Sequence, residues 1–358
     1  MFRNYKFDKN DPSEKHSFEI YDVDISIING IRRTILTDIP IPGIIGEDKT
    51  TVDIIKNTGP LHNEIMSHRI GLLPICLNED EIESYNDNDI EIELNIVNNG
   101  NNILSVTSND ITVKKFHKVL NKKEIENIFP ANIVTKSHIL LTRLRSDEQL
   151  HFKANVVKKT ARYNSAFCPV SLSNFFYMED PEKASKKDNV LDKERSYYTN
   201  KYGEANIIQF ELESINPHIG AKYLVSKAIK IIIDKFHDIV NNLLKEDYGN
   251  IKINKFQDLN NTYDITIQNE DDTVGNIIQS YIYNRYVREN NEILDGIHCS
   301  YIGYICPHPL KYELVIRITL EEQNMQNIFI QFLKTNCLII INELININKE
   351  WNKFMNNK

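Results

Sequence analysis

The order of elements constrains this chain more than any other feature. From residue 262 onward the sequence reads strand, helix, strand, strand, long helix, and the earlier part reads the same once one stretch is set aside. In the later part Tyr263, Ile265 and Ile267 alternate with polar residues, as one face of a strand does. Asp272 or Thr273 is placed to cap a helix bearing Val274, Ile277, Ile278, Tyr281 and Ile282. Strands at 298–305 and 313–320 follow, then a helix carrying Phe329, Leu333, Cys337, Ile340, Leu344, Ile347 and Trp351. In the earlier part, after an N-terminal tail, a strand at 16–21 leads to Asp22 or Asp24, either of which can cap a helix over 25–39. Pro40 and Pro42 stop that helix, since proline has no amide donor and restricts the residue before it. Strands at 151–158 and 207–213 come next. A long helix then begins at Pro217, with Ala221, Leu224, Val225, Ala228, Ile232, Phe236, Ile239 and Leu243 on one side. Asp247-Tyr248-Gly249-Asn250 is the short link between the two parts.

A small sheet with helices on one face is an α+β layer. Each long helix carries an apolar stripe wider than one short sheet covers. Two such layers can bury these stripes against each other; packing of each stripe within its own half is also compatible with the pattern. Gly30 lies inside the first helix, where glycine costs about 1 kcal/mol relative to alanine, a cost best tolerated where another element must approach closely. The stretch set aside, 51–149, has its own character: Ile90, Ile92, Leu94 and Ile96 alternate with polar residues as a strand with one wet face, and weaker elements surround it. The boundaries expected are therefore 1–50 plus 150–247 for the first unit, 51–149 for an inserted, mainly β domain, and 251–358 for the second unit. Residues 179–202 are rich in Lys and Glu and read as a solvated loop.

Composition narrows the function. Acids outnumber bases 50 to 42, a net charge of −8, which disfavours wholesale phosphate binding. A local basic module using Lys153, Lys158, Lys159 and Arg162, or the loop 183–201, is the alternative reading. The longest apolar runs fall well short of the roughly 20 residues that span a bilayer, and the N-terminus lacks a hydrophobic signal region, so no membrane role and an intracellular setting are expected. Five scattered cysteines without a CxxC pair fit reduced thiols. His298-Cys299 with Cys306-Pro307-His308 misses zinc spacing, so neither a metal nor a cofactor is expected. The two D-x-D pairs, Asp22-Val23-Asp24 and Asp87-Asn88-Asp89, read as a helix cap and a polar loop. No Walker lysine motif, G-x-S-x-G or H-E-x-x-H is present, so no catalytic residue is expected.

Three motifs carry a resemblance. Asn29-Gly30-Ile31-Arg32-Arg33 with Asp38-Ile39-Pro40 resembles the Asn-x-Leu-Arg-Arg helix and proline stop of α-type assembly subunits of multisubunit RNA polymerases. The run from Asn57 to Ile75, including Gly59-Pro60-Leu61-His62-Asn63-Glu64 and His68-Arg69-Ile70-Gly71-Leu72-Leu73-Pro74, is similar to the signature of the third-largest eukaryotic subunit and its archaeal D-type counterpart. Asn269-Glu270-Asp271-Asp272-Thr273-Val274-Gly275-Asn276, with Cys306-Pro307-His308-Pro309-Leu310 downstream, resembles their small partner, the eleventh eukaryotic subunit or its archaeal L-type counterpart. The resemblance implies two α-subunit-type dimerisation folds fused in one chain and paired as an intramolecular pseudo-dimer, as in large cytoplasmic DNA viruses. Catalysis would then lie in the triple-aspartate loop of the largest subunit, and this chain would be a scaffold. It implies a large-subunit interface at Asn29, Arg32, Arg33, His62, Glu64, His68 and Arg69. Intramolecular pairing would use Ile232, Phe236, Ile239, Gly275, Asn276, Leu333, Ile340 and Leu344. The implied partners are the largest and second-largest polymerase subunits and a small zinc-binding subunit, with DNA reached only through the complex. The implied location is the host cytoplasm, at a viral factory, with packaging in the virion; the nucleus is the other option. Two departures stand out: Asp272 replaces the histidine usual before Thr273, and the insertion lacks the cysteine cluster of some relatives.

Overall fold

The computed structural model describes residues 1–7, 15–48, 50–245, 247–257, 259, 261–289, 291, 297–321 and 325–357. The chain opens with β1 (Phe2–Phe7) and β2 (Lys15–Tyr21) and enters α1 (Ile25–Thr37). Asp24 is the cap, its carboxylate accepting from the Ser26 amide at 2.8 Å. After β3 (Ile41–Gly43) come β4 (Val52–Asn57), α2 (Asn63–Gly71), α3 (Glu79–Ser84), β5 (Ile90–Val97), β6 (Leu104–Thr107), β7 (Thr112–Lys115), β8 (Lys118–Val119), α4 (Lys122–Ile128), β9 (Leu140–Leu144) and β10 (Gln149–Asn155). Then follow β11 (Val157–Lys159), β12 (Val170–Tyr177), α5 (Pro181–Ala184), α6 (Val190–Glu194), β13 (Ile207–Ser214) and α7 (Ala221–Leu243). The last stretch holds β14 (Ile251–Lys255), β15 (Thr262–Gln268), α8 (Asp272–Ile282), a π-helical turn at Tyr283–Arg288, β16 (Cys299–Ile305), β17 (Glu313–Leu320) and α9 (Gln326–Met355).

Two four-stranded antiparallel sheets have matching order, β1-β2-β13-β12 and β14-β15-β17-β16. Their registers match as well: Tyr21, three residues before the α1 cap, faces Ile207, the first residue of β13, and Gln268, three before the α8 cap, faces Glu313, the first of β17. Both strand-to-helix turns place the residue two before the cap in the left-handed region, Asp22 at φ 54° and Asn269 at φ 65°. Aspartate and asparagine tolerate that conformation because their short polar side chains bond locally.

Two strand readings are corrected by these sheets. The strand expected at 151–158 is chiefly β10, and it pairs with β4 and β5 in the five-stranded sheet β4-β10-β5-β7-β8 of the inserted stretch. That sheet therefore runs past residue 149, the expected boundary. The place reserved for it is taken by β12, in a stretch whose sequence reads as loop. Within the N-terminal tail Phe2–Phe7, and after the link Ile251–Lys255, are edge strands, β1 and β14. The α8 cap is Asp271, one residue earlier than expected, accepting from the Thr273 amide at 2.9 Å. Asp272 sits in the first turn, where its charge suits the helix dipole.

α7 and α9 pack against one another antiparallel. Ser226 of α7 donates to Asn348 of α9 at 2.9 Å, and the Trp351 indole donates to the Lys222 carbonyl at 3.2 Å. Ile232, Phe236, Ile239, Leu333, Ile340 and Leu344 are all buried. Among the described residues α9 is the one helix long and apolar enough to cross a bilayer; here its stripe is buried in protein, and Trp351 reaches the first sheet, against Phe18 at 4.6 Å and Phe2 at 5.1 Å. The segment expected to be a solvated loop, 179–202, holds α5 and α6 and is tied to the residue after the π-helical turn by the Tyr202 hydroxyl, which donates to Glu289 at 2.7 Å; the adjoining Glu204 pairs with Arg288 of the turn at 2.7 Å.

Candidate interaction surfaces

α1 and α8 meet across the seam between the two sheets. Gly30 makes this possible: a Cβ there would lie 2.9 Å from Ile277 Cδ1. The expectation that another element approaches Gly30 closely is met by a helix from the other half of the chain. Each cap then binds the ninth residue after the other. Asp24 accepts from Ser280 at 2.9 Å and from Asn284 at 3.0 Å, while Asp271 faces Arg33 at 3.7 Å, whose Nε donates to Thr273 at 3.0 Å.

Around Asp271 the seam holds an ionic cluster that sequence spacing does not reveal. Arg162 forks between Asp38 and Asp271, reaching the latter at 2.7 Å. Lys235 of α7 bridges Asp38 and Glu270, each at 3.2 Å. Burial alone would raise the Asp38 and Asp271 carboxyls, but the Arg162 and Lys235 cations outweigh it and hold both below the usual range. Burial lifts Glu270 above it, with Lys235 offsetting only part. Three cations and three acids close the local charge, as groups withdrawn from water require. Two of the quoted motifs, Asp38-Ile39-Pro40 and Asn269-Glu270-Asp271, meet here. Arg162 comes from the loop after β11; the sequence places it among surface bases, and the fold turns it inward to this cluster.

The expected interface residues divide between two places. Arg33 turns into the seam. Asn29 accepts from Arg32 Nε at 2.9 Å, both half-buried. His62, Glu64 and His68 stand exposed on or just before α2, and Arg69 is partly committed, donating to the Leu141 and Leu140 carbonyls of β9 at 2.9 and 2.6 Å. α2 sits close to the preceding loop through glycines: a Cβ at Gly71 would meet the Gly46 backbone at 2.8 Å. Its outer face presents Ile65, half exposed, and its C-cap Leu72, 70% exposed, seven residues on with His68 and Arg69 between. Gly275, expected in the pairing of the halves, instead admits Leu314 and Tyr304 of its own sheet, where a Cβ would come within 2.6 Å of both. Asn276 lines a cleft shared by the halves, with Asp24, Ser26 and Ser280.

The alternative basic module is engaged elsewhere. Lys153 lies 3.7 Å from Glu93, Lys159 4.0 Å from Asp87, and Lys158 donates to the Ile82 and Glu83 carbonyls. In the 183–201 loop, Lys183 pairs with Asp180 at 3.7 Å and Lys201 with Glu289 at 3.6 Å. All five cysteines are free, and among the described residues no three His, Cys, Asp or Glu side chains gather as metal ligands.

No protein-family model matches the chain. Among curated proteins, it is 28% identical over 178 residues to a conjugation stage-specific protein of Tetrahymena thermophila, covering 45% of this chain and 55% of that one. It is 23% identical over 176 residues to the DNA-directed RNA polymerases I and III subunit RPAC1 of Mus musculus, covering 44% and 49%. Against the DNA-directed RNA polymerase subunit Rpo3 of Methanobrevibacter smithii it is 35% identical over 75 residues, covering 21% and 26%. The chain thus spans about half the length of the first two relatives and a quarter of the third. It is distantly homologous to RPAC1- and Rpo3-type subunits, and its mixed α+β architecture agrees with that.

Proposed function

We propose that this chain is a non-catalytic assembly scaffold of a DNA-directed RNA polymerase, made of two α-type dimerisation units paired as an intramolecular pseudo-dimer. The observation that carries the pairing is the matched order, register and left-handed turn of the two sheets, with α1 against α8 and α7 against α9. Homology to RPAC1 and Rpo3 supports the polymerase setting. In this reading the first half docks the second-largest subunit through α2 and the Asn29–Arg32 face of α1. The second half meets chiefly the largest subunit, the insertion offers a place for a small zinc-binding subunit, and DNA is reached only through the complex. Joining the units has a physical consequence. A short link gives an effective concentration of about millimolar, so pairing no longer awaits the meeting of two chains, and stoichiometry is one to one.

The exposed Ile65 and Leu72 make the docking testable. When the tagged chain is purified from cells expressing the other subunits, the two largest polymerase subunits come with it. Ile65→Asp with Leu72→Asp loses the second-largest subunit while leaving the melting temperature of the isolated chain unchanged, because neither side chain is in the core. Recovery of the chain without any polymerase subunit overturns the proposal.

A further inference from the structure

The seam is built unequally at its two ends. Around Asp271 the first half supplies Arg33, Arg162 and Lys235 with one acid, Asp38, and the second half supplies Glu270 and Asp271. Around Asp24 the corresponding contacts come from hydroxyl and amide donors, Ser280 and Asn284, and the one cation among the described residues lining that cleft, Arg288, is held by Glu204 of the first half. From this we infer that the ionic cluster is a pairing-specificity device, which makes each half accept the unlike half and reject a second copy of itself. The inference rests on the pseudo-dimer reading above.

Setting each half against its own likeness brings out the difference. In a first-half pair, the cluster's three cations would meet Asp24 and, where Glu270 stands, Val23, one residue before the cap in each case. Lys235 would then lose one of its two carboxylates and remain buried with surplus positive charge. In a second-half pair, Glu270 and Asp271 would meet Ser280, Asn284 and the single cation Arg288, one positive charge for two acids in place of the three that hold them here. Uncompensated buried charge is among the costliest defects a contact can carry, and building it into the wrong pairing is how specificity is achieved when the apolar contacts of both pairings are alike. The long helices do not discriminate in this way, since apart from the neutral Ser226–Asn348 and Trp351–Lys222 carbonyl hydrogen bonds their facing stripes are apolar on both sides.

The test uses the full chain with a protease site in the exposed link at residues 247–250, nicked after folding. Isotopically light and heavy nicked protein are mixed, separated by a denaturant pulse and allowed to re-form, and the species are counted by native mass spectrometry. Chance pairing would leave only half of the complexes unlike. The expected result is at least a tenfold excess of unlike over like pairs, a fall towards chance for Glu270→Lys, and partial recovery for Lys235→Glu combined with Glu270→Lys, since the swap re-forms that pair but leaves a carboxylate beside Asp38. In the uncut chain the same set gives a lowered melting temperature for Glu270→Lys and a partial return in the double variant. Unlike and like pairs in chance proportion for the native sequence, or Glu270→Lys melting like the native chain, overturns the inference alone. Halves that part on nicking without denaturant, and never associate, overturn the pseudo-dimer reading beneath it.

Discussion

Alanine at position 30 isolates the contact between the two halves from everything else. In an ordinary helix interior, replacing glycine by alanine stabilises by about 1 kcal/mol. Here the added methyl would sit 2.9 Å from Ile277 Cδ1 and 3.6 Å from Thr273 Cγ2. Ile277 is 1% exposed, so its terminal methyl has nowhere to swing. Overpacking of this kind costs about 1–3 kcal/mol, leaving Gly30→Ala less stable than the native chain by about 1 kcal/mol. Ile277→Val removes the offending methyl and alone costs about 1 kcal/mol. With both changes the nearest remaining Ile277 atom, Cγ1, lies at an ordinary 3.7 Å. The helix gain then survives and the double variant returns close to native stability, a coupling of about 2 kcal/mol. Urea midpoints of the four proteins at constant slope measure it. Additive effects, with Gly30→Ala stabilised, would mean that α8 does not lie against α1.

Other perturbations reach other parts of the molecule. Ile232→Asp or Leu333→Asp buries an unpaired charge between α7 and α9 and costs several kcal/mol, roughly 3–5; the fluorescence of Trp351, the sole tryptophan, reports the loosening as a red shift, and an unshifted spectrum at native yield would contradict the packing. Arg162→Met leaves Asp38 and Asp271 facing each other without their shared fork and costs about 3–5 kcal/mol, with Arg162→Lys restoring only part because a point charge cannot make both bonds; calorimetry of the two variants decides. His16 is buried under Phe7, accepts from or donates to the Tyr5 hydroxyl at 2.8 Å, and burial pushes its imidazole down to about 4. The unfolded chain takes up that proton near pH 6.5 and the folded one only near 4, so stability falls as pH drops through this window, by at most ~3 kcal/mol. His16→Gln flattens that slope in urea titrations at pH 7 and 4.5, and an unchanged slope would refute the assignment.

Local chemistry is legible where one segment decides its own fate. Asp24, the isoleucines at helical spacing and the two prolines define α1 without reference to anything distant, and Gly30 announces a close neighbour without saying which. The sequence marks 151–158 as a strand, most of which is β10, but a strand pattern says nothing about which sheet the strand joins. β12 escapes because its polar Ser171, Ser173 and Asn174 interrupt the apolar run, and its pairing with β13 supplies what the pattern lacks. β1, with Arg3, Asn4 and Lys6, is an edge strand whose polar face suits solvent and so resembles a tail. The ionic cluster is the least legible feature. Asp38, Arg162, Lys235 and Asp271 lie far apart in the chain, and only the tertiary fold makes them neighbours. The exposed face of α2 is legible through its motif, whereas the diversion of Arg33 into the seam depends on where α8 lies.

Everything else depends on one chain carrying two paired units and offering their outer faces to polymerase subunits. A density map of the particle that purifies with the tagged chain tests this most directly. The expected map shows α7 and α9 antiparallel within a single copy, and the Ile65–Leu72 face of α2 covered by the second-largest polymerase subunit. Long helices apart, or that face open to solvent in an assembled polymerase, would contradict it.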